Sequence, residues 1–162
     1  ILCLPHNSYF SPARETKYPG ILINTFRKGR VVFFPFAFGK FYRDFGIVEC
    51  RKILENAVRW SSRDGMPIKL EAPSSVTMYL FEQPNRQIIH LVNGTTDARG
   101  QSSYLNVLHG IHVSVRVPKE KEVQEVISVS KGEKLRFRKV NNWVLFAIPQ
   151  LEEYNLIVVE YR

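Results

Sequence analysis

Ile111-His112-Val113-Ser114-Val115-Arg116-Val117 alternates apolar and polar side chains without a break. A strand turns successive side chains to opposite faces. This stretch therefore buries Ile111, Val113, Val115 and Val117 and wets His112, Ser114 and Arg116. The same period extends to either side. Upstream, Val76, Met78 and Leu80 alternate with Thr77, Tyr79 and Phe81, and Ile88 to Val92 form another apolar run. Downstream, strands are expected at 123–129, 134–140, 143–148 and 154–161. Turn signals separate them at Gln83-Pro84-Asn85, Asn93-Gly94, Pro118-Lys119, Lys131-Gly132 and Asn141-Asn142. Seven or eight short strands with regular turns predict an Ig-like antiparallel β-sandwich over residues 66–162.

Before residue 66 the pattern changes. Residues 1–20 carry Pro5, Pro12, Pro19 and Gly20 without a period and read as loop. Ile21–Phe26 and Arg30–Pro35 are apolar, β-branched runs around Arg27-Lys28-Gly29, a hairpin signal, and Pro35 ends the second strand or puts it at an edge. From Gly46 to Ser62 the period becomes helical, with Ile47, Cys50, Leu54, Ala57, Val58 and Ser61 on one side and Asp64-Gly65 as a stop. One hairpin, one helix and a loop make a poor core. Residues 1–65 thus look like the closing strands and last helix of an α/β domain whose beginning is missing, and the chain like a fragment.

With 44% hydrophobic residues the composition is that of a folded chain rather than a disordered one. No apolar run approaches membrane-spanning length, and Ile1-Leu2-Cys3-Leu4-Pro5 lacks the features of a signal peptide. A cytoplasmic location is expected. Cys3 and Cys50 have no zinc or CxxC spacing and read as unpaired thiols in a reducing compartment. The net charge of +8 sits mostly in residues 1–65, where 11 Lys/Arg face 5 Asp/Glu. No recognition helix, RNP-like motif or basic tail accompanies it, so a solvated face or an acidic partner domain is favoured over nucleic acid.

No residue stands out as catalytic. There is no G-x-S-x-G elbow and no cysteine in a catalytic context; Cys50 falls on the helix's apolar face. His109 and His112 lie three apart on a strand and point to opposite faces, which disfavours a shared metal. Asp44, Glu49, Glu82, Asp97, Glu152 and Glu153 show no spacing that marks a glycosidase pair. No cofactor or metal is expected. Asn93-Gly94-Thr95 has the form of a glycosylation sequon and reads as a turn. Three non-catalytic groups remain. Phe33, Phe34, Phe36, Phe38, Phe41, Tyr42 and Phe45 place seven aromatics in thirteen residues, more than one strand and one turn can bury, and predict packing against another domain or subunit. Tyr79, Phe81, Tyr104 and Trp143 are candidates for stacking on sugars. Lys134, Arg136 and Arg138 are expected on one face of a strand opposite Leu135 and Phe137, as a solvated edge that discourages pairing, with a polyanion site as the alternative.

The order of segments is also informative. Gly29-Arg30-Val31-Val32-Phe33-Phe34-Pro35-Phe36, Gly39-Lys40-Phe41-Tyr42 and Leu54-Glu55-Asn56-Ala57-Val58-Arg59-Trp60 resemble a GKGRVVYFP strand, a Gly-x-x-Tyr turn and an L-x-N-A-V-R-W helix. These belong to the glutamine-amidotransferase-like, or trimerisation, domain that follows the catalytic barrel in β-galactosidase-like glycoside hydrolases. Glu71–Val76, His90-Leu91-Val92-Asn93, Val113–Pro118 and Leu151-Glu152-Glu153-Tyr154 are similar to the C-terminal sandwich of the same family. The resemblance covers about residues 20–162. Phe36-Ala37-Phe38 departs from it, since relatives often carry an Asp in this turn.

The resemblance implies a flavodoxin-type α/β end over 1–65 and a sandwich over 66–162. It also implies a barrel with two catalytic Glu residues elsewhere in the protein. This chain would then be a non-catalytic structural and oligomerisation region, packed on the catalytic domain and assembled as a homo-oligomer, in the family a trimer. The alternatives are a carbohydrate-binding sandwich module and a basic nucleic-acid-binding domain. No membrane partner is expected.

Overall fold

The computed structural model describes residues 17–63, 65–95 and 106–162. Cys3, His6, Asp97 and Tyr104 lie outside them. The chain divides between Met66 and Pro67 into two compact units.

In the first unit, β1 (Leu22–Phe26) and β2 (Gly29–Phe33) form an antiparallel hairpin, with Leu22 opposite Phe33 and Phe26 opposite Gly29. Arg27 opens the turn at φ 52. Two helices follow, α1 (Phe38–Phe45) and α2 (Val48–Ser61). Residues 39–42, read as a turn, are instead part of α1. The side chains explain it: Lys40 pairs with Asp44 one turn on, and the Phe41 and Phe45 rings meet at the same spacing, 4.9 Å apart. Gly46 then stops the helix in the left-handed conformation, φ 63, its N–H donating to the Tyr42 carbonyl at 2.7 Å. In α2, Glu49 in the first turn and Arg59 in the last complement the helix dipole.

The second unit is mainly β, two antiparallel sheets in a sandwich-like arrangement. Its strands are β3 (Ile68–Glu71), β4 (Val76–Gln83), β5 (Arg86–Asn93), β6 (Leu108–Arg116), β7 (Val123–Ser128), β8 (Glu133–Lys134), β9 (Phe137–Val140), β10 (Trp143–Leu151) and β11 (Tyr154–Tyr161). One sheet runs β3-β6-β10-β9 and the other β4-β5-β11-β7-β8. The alternation at 111–117 places Ile111, Val113, Val115 and Val117 in the core with Ile89, Leu91, Val126, Val144, Ile148, Ile157 and Val159 from other strands. Buried polar side chains pair inside, with Gln87 Oε1 left without a hydrogen-bond partner among the described residues. Ser128 Oγ donates to Asn155 Oδ1 at 2.8 Å, and Gln87 Nε2 reaches across from one sheet to the Arg116 carbonyl of the other at 2.9 Å.

The expected strand at 134–140 is divided in two. Residues 133–134 pair with β7 in one sheet, and residues 137–140 pair with β10 in the other. Between them Leu135 is buried, its N–H donating to the Val126 carbonyl at 2.8 Å, so the chain crosses from sheet to sheet around that anchor. Lys134 is therefore on the other sheet from Arg138, and the three basic residues do not share one strand face.

Tyr161 closes β11 inside the core, its hydroxyl donating to the Gln83 carbonyl at 3.2 Å. Burial, and then the charge of Glu82, push its phenol above the ordinary value. A pKa raised in the fold contributes stability that is complete below pH ~10, the unfolded value, and is lost as pH rises through the folded one. Tyr161→Phe should accordingly show a smaller drop in urea midpoint between pH 8 and pH 11 than the parent chain. An identical drop would mean the phenol ionises at the same pH in the folded and unfolded chain.

Candidate functional site

The first unit buries very little. Phe38 and Cys50 are its only buried hydrophobic residues among those described. Phe34 lies parallel to Phe38 at 4.8 Å and Phe36 meets it edge-on at 5.5 Å, so Phe38 belongs to the unit's own packing and is withdrawn from the expected contact surface. Phe34 and Tyr42 are half-buried. Phe33, Phe36, Phe41 and Phe45 stay exposed, Phe45 at 67%. The hairpin adds Leu22, Ile23, Phe26 and Val31, all exposed. An open trough of about 480 Å³ lies between β2 and α2, lined by Val32, Phe34, Leu54, Ala57 and Val58. Arg30 ties β2 to α2, its guanidinium 5.4 Å from the Trp60 ring and donating to the Trp60 carbonyl at 3.1 Å.

On the sandwich, the outer face of the five-stranded sheet is aromatic. Tyr79 and Phe81 project from β4 and are more than half exposed. His90 of β5 stands opposite Tyr79, meets Phe81 edge-on at 5.3 Å, and shares a 2.7 Å hydrogen bond through Nδ1 with the Tyr154 hydroxyl of β11. His90 and Tyr154 were not singled out from the sequence. Their pairing depends on β11 lying beside β5, a register that alternation alone does not reveal. Trp143 does not join this patch. It lies on β10 in the other sheet, with Lys69 Nζ 4.8 Å and the Arg116 guanidinium 6.0 Å from its ring centroid, so its ring is engaged by cations. Tyr104 lies outside the described residues. Of the described candidates, Tyr79 and Phe81 share a patch that Trp143 does not join.

The outer face of the four-stranded sheet holds a second concavity of about 480 Å³, lined by Glu71, His112, Ser114, Arg136, Arg138 and Leu145 among others. One cross-strand row runs Lys69, Ser114, Leu145, Arg138 through all four strands, and the next runs Glu71, His112, Ala147. Lys134 stands apart on the other sheet, paired with Glu125, and that hydrogen bond raises its pKa. His109 contacts the Pro149 carbonyl at 3.1 Å through Nδ1, away from the concavity that His112 lines. Among the described residues no three His, Cys, Asp or Glu side chains are grouped to hold a metal.

Asn93 is used as structure. Its Nδ2 donates to the carbonyls of Asn106 and Glu152, both at 2.8 Å, and its Oδ1 accepts from the Thr95 N–H and hydroxyl. Among the described residues no helix is long and apolar enough to cross a membrane.

No protein-family model matches the sequence, and no curated protein does. Among solved structures, α-L-fucosidase isoenzyme 2 from Paenibacillus thiaminolyticus matches over 97% of this chain with a TM-score of 0.74 and 21% identity. A cycloisomaltooligosaccharide glucanotransferase from Paenibacillus sp. matches over 57%, with a TM-score of 0.45 and 15% identity, and the match takes in 16% of its length. The chain spans about a quarter of the length of the fucosidase, 24%. The likeness to that fucosidase is one of fold, and it extends along nearly the whole chain.

Proposed function

We propose that this chain is a non-catalytic packing region of a larger glycoside hydrolase. The order of its motifs points to the β-galactosidase-like group, with the first unit serving as a trimerisation-type contact and the sandwich as an accessory domain. The carrying observation is that a hydrolase several times longer holds the same fold over 97% of this chain. The exposed aromatics of the first unit support the reading, because apolar surface of this kind is stabilised when another domain or subunit covers it. The fold alone does not name a substrate. The motif order favours a β-galactoside, and the structural neighbour adds an α-L-fucoside.

The size of the native polypeptide in its source cells tests this. An immunoblot raised against the chain should show a band several times larger than 18.8 kDa. Glycosidase activity on an aryl β-galactoside or aryl α-L-fucoside should co-purify with it. A band at the chain's own mass would overturn the proposal.

A further inference from the structure

The concavity on the four-stranded sheet has chemistry that packing does not use. Arg136 and Arg138 line it, and neither has a carboxylate within 4.0 Å among the described residues, whereas Lys134 close by in sequence is paired with Glu125. Two neighbouring guanidiniums repel each other, and each presents a planar fork of donors shaped for a carboxylate or sulfate. Edge protection accounts for Arg138 and for Lys139, which lie on the edge strand β9. It does not account for Arg136, which precedes that strand in the crossover. Lys69 stands in the same row as Arg138, roughly 14 Å away across three strand spacings, and carries positive charge along the face.

The other lining groups narrow the ligand. Glu71 and His112 face each other across β3 and β6, and Ser114 is next to them. A carboxylate in the same concavity repels a dense polyanion such as nucleic acid but accepts hydrogen bonds from hydroxyls. Leu145 and Ala147 add an apolar strip suited to the C–H face of a pyranose. We propose that this concavity binds an anionic oligosaccharide, one whose sugars bear carboxylate or sulfate groups. The anion rests on the concavity's own residues; the choice of a sugar to carry it rests on the proposed function.

The test is calorimetric titration of the 162-residue chain with four probes: a hexamer of galacturonate, a sulfated galactose hexasaccharide, neutral maltohexaose, and an oligoglutamate of equal charge. Binding of at least one acidic sugar is expected, with maltohexaose and oligoglutamate at least tenfold weaker. Which acidic sugar binds identifies the anionic group. Arg136→Ala with Arg138→Ala should weaken binding at least tenfold, while Lys134→Ala, the same charge on the other sheet, leaves it unchanged. All three side chains are exposed, so folding is preserved. Failure of both acidic sugars, equal binding of oligoglutamate, or equal loss with Lys134→Ala would overturn the inference. A large native polypeptide whose chain ignores acidic sugars would remove this inference and leave the proposed function standing.

Discussion

Ile157→Ala is expected to cost the sandwich about 3–4 kcal/mol, the upper part of the range for truncating a buried isoleucine. Ile157 has no exposed surface and sits in β11, third of five strands, opposite Ile89 of β5 and Ser128 of β7. Truncation removes the transfer energy of the lost methylenes and leaves a cavity. The flanking ladders hold both neighbouring strands in place, so little of that cavity can close. Leu156 supplies the control. It is the adjacent residue on the opposite face, half-buried beside His90, and Leu156→Ala should cost less than about 1.5 kcal/mol by the same bookkeeping. Urea unfolding followed by far-ultraviolet circular dichroism gives both numbers. Equal costs, or the reverse order, would mean that β11 presents the other face to the core, since a slip of one residue exchanges every side chain.

Much of the sandwich is legible because alternation is a local signal, and at 76–81 and 111–117 it reports which side of a strand is buried. At 154–161, where Leu156 and Ile157 are both apolar and Asn155 is buried, it does not. It carries no information on neighbours. The run 134–140 alternates as a strand should, yet Leu135 is an anchor about which the chain changes sheets, and only the partners of Lys134 and Phe137 reveal this. β3 is four residues long, too short for a period to show. Helix α1 was hidden in a different way: Pro35 and Gly39 punctuate the stretch as a turn would. The pair that stabilises the helix, Lys40 with Asp44, is a side-chain contact at a spacing that an aromatic count overlooks.

The candidate sites follow the same logic. Counting aromatics located the exposed cluster of the first unit, because seven in thirteen residues exceed what a small element can cover. Which of them turns inward, Phe38, depends on ring contacts with Phe34 and Phe36. Tyr79 and Phe81 were found because they alternate outward on one strand. Trp143 was grouped with them on residue type alone, and the sheet order places it on the opposite side of the sandwich. Alternation groups Arg136 and Arg138 with Lys134 as one basic face, and the division of their strand removes Lys134 from it. Arg136 and Arg138 become neighbours of Glu71 and His112 only once β9, β10, β6 and β3 lie side by side.

The exposed aromatics of the first unit lead to the second large effect. The purified chain should self-associate at micromolar concentration and enhance the fluorescence of an apolar dye severalfold, since Leu22, Ile23, Phe26, Phe33, Phe41 and Phe45 leave apolar surface in water. Phe33→Lys with Phe45→Lys should return the chain to a monomer and cut most of the dye signal. Neither residue is buried, so the unfolding midpoint of the sandwich should stay where it was. Phe38→Lys marks the difference between surface and core. It places a charge among stacked rings and should unfold the first unit, raising dye binding instead of lowering it. Sedimentation velocity and dye titration of the three proteins decide the matter. A parent chain that is monomeric and dye-silent would show that the aromatics find partners within the chain itself, and the case for a packing region would then rest on the fold likeness alone.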